Sequence, residues 1–518
     1  MVKKGIFLLV FITVLLLPAA FTVRAQTPSG VRMGSEVLMG RCHHLIEGKK
    51  IGLVTNQSGV NSRGESTADI LAGDESVELV ALFAPEHGLD GKAAAGQYVE
   101  SYTHEKLGIP VYSLYGPTRM PTEEMLRGLD VLVYDIQDIG ARTYTYISTL
   151  NYCMVAAQKY GKAIIVLDRP NPLGGIIVEG PVLEDDFKSF VGVDNLPMAH
   201  GMTVGELARY FNRNIGADLT VVPMEGYKRT MLFQDTGLTW VQTSPNIPDL
   251  DSVFGYMATG LGEGTGVFQA DKFKWIGGKG LDSGKYAQLL NSAGLPGVTF
   301  IPEQRGEAGG VRLKVTDYHT FNPARTGIYA LAYACSIGDF IIPKSSGNTK
   351  VMFDKVMGTD KIGRYLEQGL LPQQIEGNYA PALERFKAER EKYLIRDYDG
   401  PGAQEIMVMV KGKTVLFDSA PYIDSHNRVM VPLRAIVEAL GAKVGWGQQT
   451  KTITVTTQDK RVIFTVDSYS AEINGERREM DTTPVIKNSR TMVPARYIGE
   501  YLGAVVRWDA ALRRVTID

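Results

Sequence analysis

Glu86 and His87 stand together directly after an apolar run, residues 80–84, with Pro85 before them and Gly88 behind. A carboxyl next to an imidazole can donate, accept and relay protons. Two further apolar runs end in the same way. Residues 131–134 lead into Asp135, Asp138, Arg142 and Tyr144, and residues 163–167 lead into Asp168, Arg169, Pro170, Asn171 and Pro172. Paired carboxylates at such positions are the side chains that general acid–base chemistry requires.

Short, continuous apolar runs fit strands buried on both faces, as in a parallel sheet covered by helices. In open sheets of that kind the ligand crevice lies beyond the carboxyl ends of the strands, so reactive residues at three such ends imply one shared pocket. Residues 51–55, 78–83, 110–114, 131–136, 163–167 and 219–222 read as strands. Between them lie helical stretches, the clearest being 144–160, where Ile147, Leu150, Met154 and Ala157 share one face. This alternation predicts a doubly wound α/β domain. From about 230 to 400 the pattern is less regular. Strands at 298–301 and 311–315 and helices at 326–336 and 380–392 predict a smaller α+β subdomain, followed by a short linker at 399–403.

Asp135 and Asp138 are three positions apart. On a strand they would face opposite ways, so both reach one pocket only if the strand ends between them. Thr203 and Glu206 form a capping box after His200, which makes Glu206 structural. The glycine-rich stretch Gly260-Leu-Gly-Glu263-Gly-Thr-Gly266 lacks the Lys-Ser/Thr ending of a phosphate-binding loop and reads as a tight turn carrying Glu263.

A composition of 44% apolar and 22% charged residues is that of a globular protein, and 518 residues exceed one ordinary core. The net charge of −2 gives no basis for nucleic-acid binding. Cys42, Cys153 and Cys335 define neither a disulfide framework nor a zinc spacing, and the seven histidines form no metal constellation. No metal or cofactor is expected. Lys3 and Lys4 precede an apolar stretch at 6–23 and a small-residue site near Ala25, so residues 1–25 read as a signal peptide of an extracytoplasmic protein. No second stretch is apolar enough to span a bilayer.

The segment from 428 to 446 recurs at 490–508, with Val-Pro, Leu-Gly-Ala and a final tryptophan in register. Each unit reads as strand, Pro-started helix, Gly stop and strand pair. The repeat resembles the stalk domain of exported Gram-positive proteins, also called the copper amine oxidase N-terminal-like domain. Its copper ligands have no counterpart here, since His426 stands alone, and a structural or surface-attachment role is preferred.

Six motifs in order over residues 31 to about 395 resemble the exo-acting β-N-acetylmuramidase family of glycoside hydrolases. They are Gly52-Leu-Val-Thr-Asn56-Gln-Ser-Gly59, Ala84-Pro-Glu86-His87-Gly88, Tyr134-Asp135-Ile-Gln-Asp138-Ile-Gly-Ala-Arg142-Thr-Tyr144-Thr-Tyr146, Asp168-Arg169-Pro-Asn171-Pro172, His200-Gly-Met-Thr203-Val-Gly-Glu206 and Ser244-Pro-Asn246-Ile-Pro. The resemblance implies removal of N-acetylmuramic acid from non-reducing ends of peptidoglycan fragments. It divides the chain into a signal peptide at 1–25, a Rossmann-like catalytic domain at 31–230, an auxiliary subdomain at 231–400 closing the cleft, and the stalk domain at 405–518.

Glycoside hydrolysis needs an acid at the leaving oxygen and a second group at the anomeric carbon. Glu86 is read as the acid, against a plain ion pair with Arg142 or Arg169. His87 tunes it, binds a hydroxyl or is a turn histidine bonded to backbone. Asp138 is the second carboxylate, while Asp135 caps loop amides or orients Arg142. Muramic acid carries a lactyl carboxylate, and Arg142 and Arg169 are the candidates to grip it, against salt bridges to Asp135 or Asp168. Tyr144 and Tyr146 are placed against the sugar ring, with packing as the alternative. Asn171, on a loop stiffened by two prolines, is the candidate for the N-acetyl group. Asn56, His200, Asn246 and Glu263 complete the expected substrate contacts.

Overall fold

The computed structural model describes residues 30–399 and, within 406–518, all but 416, 418, 420, 425–427, 488–489 and 510–513. The expected signal peptide, most of the linker and His426 lie outside the described residues. Strands β1 (Lys50–Thr55), β2 (Glu78–Ala84), β3 (Tyr102–Thr103), β4 (Pro110–Ser113), β5 (Val131–Asp135), β6 (Ala163–Leu167) and β7 (Leu219–Val222) form one sheet, ordered β3-β4-β2-β1-β5-β6-β7. Every neighbouring pair is parallel except β3 with β4 at the edge.

The apolar runs are continuous because both faces of the sheet are covered. Val131 and Val133 pack with Ile51, Leu53 and Leu82 on one side. Leu132 and Tyr134 pack with Val54, Phe83 and Val166 on the other. The second face is roofed by the helices Tyr146–Lys159 and Val204–Ile215, the latter started by a Thr203/Glu206 capping box and ended by left-handed Gly216. Successive strands run outward from β1 through β2 to β4, then from β5 through β6 to β7. The order therefore reverses between β1 and β5, which opens a crevice at their carboxyl ends.

The second lobe holds an antiparallel sheet of β8 (Val267–Ala270), β9 (Trp275–Lys279), β10 (Val298–Arg305) and β11 (Ala308–Val315), ordered β10-β11-β9-β8. The helices Leu250–Thr259, Ser283–Ser292, Pro323–Ile337 and Pro372–Arg390 accompany it. The last of these begins well before the expected residue 380, because Pro381 is accommodated inside the helix. An interior proline removes a hydrogen bond and normally marks a boundary, which is why the pattern pointed to a later start. The two lobes share one apolar core, running from Val54 and Phe83 through Phe254, Tyr286 and Tyr329 to Leu394.

The chain then returns to the first lobe and is locked there by polar contacts. Tyr398 donates to Asp168 at 2.6 Å and accepts from the Met224 amide at 2.7 Å. Arg229 bridges Glu206 at 2.7 Å and Asp399 at 2.7 Å, and the Ile395 amide donates to Glu206 at 2.9 Å. Asp168 also accepts from Thr203, Gly205 and the Arg169 amide, so one carboxyl joins the end of β6 to a helix start and to residue 398.

In the C-terminal domain the two repeats fold alike. Val429–Pro432, Leu433–Leu440, Lys443–Gly447 and Thr452–Thr456 correspond to Arg490–Pro494, Ala495–Leu502, Val506–Asp509 and Arg514–Ile517. Both helices stop at left-handed glycines, Gly441 with φ 82° and Gly503 with φ 93°. Their first strands pair antiparallel, with Val431 opposite Val493. Ile436, Val437 and Ile498 meet in a core separate from that of the two lobes.

Burial pushes the Asp168 carboxyl from 3.8 up to about 6, and the nearby charge of Glu206 adds to this against hydrogen bonds from Tyr398, Gly205 and Thr203. The folded chain therefore holds this proton more tightly than the unfolded chain does. The stability from protonated Asp168 is complete below about pH 4 and is lost as the pH rises through about 6. Thermal melts should show this descending component weakened in Asp168→Asn, by about 1.4 kcal/mol per pH unit at most. An unchanged slope would assign the titration elsewhere.

Candidate active site

Glu86 follows β2 through Pro85. His87 and Gly88 then take left-handed φ values of 72° and 79°. Glycine adopts this conformation freely, whereas a histidine is strained in it and must be held by its surroundings. The resulting turn leaves Glu86 only 8% exposed. Its Oε1 accepts from the Gly96 amide at 2.9 Å and its Oε2 accepts from the Thr145 hydroxyl, while burial, with the nearby Glu86 charge behind it, raises the pKa of the Tyr115 phenol. No cationic side chain pairs with Glu86 among the described residues. His87 donates from Nδ1 to the Ala93 carbonyl at 2.7 Å, which leaves Nε2 of the neutral ring as an acceptor. The histidine is thus a backbone-bonded turn residue with one ring nitrogen available.

β5 ends at Asp135, so Asp135 and Asp138 are released from strand geometry between them. Asp138 accepts from the Gly140 amide at 2.7 Å through Oδ2, while its buried Oδ1 has no partner. His200, fully buried, accepts from the Met202 amide at Nδ1. Its Nε2 lies 3.4 Å from Asp138 Oδ2, an electrostatic contact rather than a strong hydrogen bond.

Tyr144 and Tyr146 both bond to Thr243, through its hydroxyl at 2.8 Å and its carbonyl respectively. They pin the loop on which Asn246 stands exposed. Tyr144 packs edge-on against Tyr256, with ring centroids 5.8 Å apart. Tyr256 comes from the Leu250–Thr259 helix of the second lobe and accepts from Thr143 at 3.3 Å. Burial pushes its hydroxyl up to about 12, and the charges of Glu86, Glu263 and Asp138 add to the shift, against the Thr143 bond. One phenol therefore feels three carboxylates from three separate loops, with Glu263 at the exposed rim. Asn56, beside the switch point, has its Oδ1 held by Ser58 while its buried Nδ2 is unpartnered.

Four expected contacts are corrected. Arg142 is fully buried and donates to the carbonyls of Pro181 (2.7 Å), Leu196 (2.8 Å) and Val356 (2.7 Å), so its guanidinium joins the lobes instead of gripping a ligand. Burial lowers its pKa to about 9. Arg169 forms a two-pronged pair with Asp135, at 2.6 and 2.9 Å, and also donates to the Val60 carbonyl. Asp135 accepts in addition from Thr67, so both of its oxygens are engaged within the protein. Asn171 spends its amide on the Met202 carbonyl and the Leu173 amide, both at 3.0 Å. All four are framework because buried polar groups must be satisfied locally. His200 likewise acts on Asp138, being wholly enclosed.

Tyr115, Thr145 and Tyr256 touch this site and were absent from the expected set. Thr145 lies between two named tyrosines, so its position in the motif was the available signal. Tyr115 stands in a loop and Tyr256 on a largely buried helix, and neither lies in a motif of the sequence. Among the described residues no group of three His, Cys, Asp or Glu side chains is placed to hold a metal ion.

Arg142→Ala would take the guanidinium donor from the buried carbonyls of Pro181, Leu196 and Val356, of which Leu196 keeps the Leu183 amide. Stability should fall by roughly 3 kcal/mol or more, read as a lowered Tm. A variant with unchanged Tm and a raised KM would restore Arg142 as a ligand residue.

Residues 51–251 match the family model of the exo-β-N-acetylmuramidase NamZ N-terminal part and residues 254–395 that of its C-terminal part. Residues 409–517 match the copper amine oxidase N-terminal domain. The chain is 42% identical over 417 residues to the peptidoglycan β-N-acetylmuramidase NamZ of Bacillus subtilis (strain 168), covering 76% of this chain and 100% of that one. Two crystal structures of DUF1343 family proteins from Bacteroides fragilis NCTC 9343 share the fold. The first is 35% identical with a TM-score of 0.65, covering 71% of this chain and 100% of its own. The second is 27% identical with a TM-score of 0.53, covering 70% and 98%. The chain belongs to the exo-β-N-acetylmuramidase NamZ family of glycoside hydrolases and carries a copper amine oxidase N-terminal-type domain behind its two lobes.

Proposed function

We propose that this chain is a secreted exo-β-N-acetylmuramidase that hydrolyses terminal non-reducing N-acetylmuramic acid from peptidoglycan fragments during cell-wall turnover. Family membership supports the reaction class. The observation that carries the assignment of roles is the set of partners around Glu86. It is enclosed at a strand end and accepts from Gly96 and Thr145, and among the described residues no cation pairs with it. The arginines that would have made it a structural ion pair are engaged elsewhere.

In this reading Glu86 protonates the leaving oxygen, and Gly96 and Thr145 orient its carboxyl. Asp138 places negative charge near the anomeric carbon as the oxocarbenium-like centre develops, with its Oδ2 fixed by the Gly140 amide. Tyr256 and Glu263 close the pocket from the second lobe, and Asn56 offers an unsatisfied donor to a sugar oxygen or acetamido carbonyl. The apolar stretch at 6–23 behind two lysines supports export, and the duplicated C-terminal module supports attachment at the wall.

Glu86→Gln should lower kcat on a muramyl disaccharide by roughly 10²–10⁴-fold. The loss should be smaller on a nitrophenyl β-N-acetylmuramide, whose leaving group needs little protonation. Asp138→Asn should slow both substrates to a similar degree. Chromatography of the products should show free N-acetylmuramic acid. Tight binding without that product would replace the hydrolase with a muropeptide-binding protein.

A further inference from the structure

A muramyl ring differs from a glucosaminyl ring by an ether-linked lactate at C3, and that arm ends in a carboxylate. Specificity for it calls for a cation within reach of the acid that meets the oxygen at C1. Arg142 and Arg169 are consumed by the framework, but Arg119 is not. We propose that Arg119 is the lactyl-carboxylate subsite, an assignment that rests on the muramidase reading above.

Arg119 is exposed and makes no ion pair among the described residues. Its guanidinium carbon lies 4.8 Å from the centroid of the Tyr115 ring and 4.3 Å from that of Phe190. Stacking on ring faces steadies a guanidinium while leaving its N–H edge free for the two parallel bonds a carboxylate accepts. Phe190 is itself braced by Tyr152, with centroids 5.5 Å apart.

Tyr115 also lies close enough to Glu86 that, after burial, the carboxylate's charge raises its phenol pKa. A single tyrosine therefore separates the proton donor from the guanidinium. Beside Arg119 opens a cavity of about 260 Å³ lined by Gly96, Tyr98, Tyr115, Gly116, Pro117 and Arg119. Its Gly96 wall is the residue whose amide holds Glu86. Tyr98 forms the opposite wall and packs so closely on Gly116 that a Cβ there would lie 1.9 Å from its ring. A sugar with its C1 oxygen at Glu86 can send its C3 arm across the Tyr115 ring to Arg119.

The test uses the full chain with nitrophenyl β-N-acetylmuramide, its lactyl methyl ester, and a muramyl disaccharide. Arg119→Ala should reduce the preference for acid over ester, in kcat/KM, by roughly 10- to 100-fold, the worth of a two-pronged charged hydrogen bond. Arg119→Lys should retain part of that preference, and the Tm of both variants should match the wild type. An equal loss on acid and ester, no loss at all, or a loss confined to the disaccharide would each overturn the subsite. Wild-type turnover alongside any of these leaves the muramidase reading standing. A wild-type chain that cleaves neither glycoside removes both.

Discussion

The bond between Arg169 and Asp135, sealed from water at the ends of β6 and β5, is the constraint on which the site depends. Two charges taken out of water repay their desolvation only with good geometry and full hydrogen bonding. Here both conditions are met. Nε and one terminal nitrogen of Arg169 meet the two oxygens of Asp135, Thr67 supplies a further donor, and the Val60 carbonyl accepts from that same terminal nitrogen. Residues 60 and 67 follow β1, so the pair clamps together the strands on either side of the switch point. The loops carrying Asn56 and Asp138 leave from that clamp.

Charge is divided between framework and chemistry by the number of partners. Arg142, Arg169, Arg229 and Arg390 are buried and bonded to carbonyls or carboxylates that join distant segments. Glu86 and Asp138 are buried with incomplete sets. Glu86 has donors but no counter-charge, and Asp138 keeps one oxygen without a partner. An unpaired buried polar atom is costly, and Nε of Arg142 and of Arg390 bears the same cost within the framework. The four arginines hold the loops rigid enough for that arrangement to survive.

The second lobe is part of the site and not an appendage. It shares the apolar core of the first, and its Tyr256 packs edge-on against Tyr144 and accepts from Thr143. Arg142 extends from the first lobe to Val356 in the second, which ties the closing elements to the sheet. The C-terminal repeats behave differently, since their core includes no residue before Ile406. A relative matched over its whole length by 76% of this chain shows that the two-lobed unit occurs without them.

Local pattern alone was enough to locate six of the seven strands of the first sheet, two of the four in the second, the helix over Tyr146–Lys159, the Thr203/Glu206 cap and the C-terminal duplication. These features depend on periodicity, capping chemistry and self-similarity, all written within a few turns of chain. The same reading placed Glu86, Asp138, Arg142 and Asn171 at strand ends, and there its reach stopped. Whether a strand-end side chain enters the crevice or turns into the framework depends on acceptors far away in sequence, such as the Val356 carbonyl for Arg142 and the Met202 carbonyl for Asn171. Tyr256 meets Tyr144 only through the packing of a second lobe, and Arg119 stacks on Phe190 from a distant part of the chain. Residue type sets what a side chain can do, whereas tertiary structure selects its partner, because desolvation obliges every buried polar group to take the nearest one available.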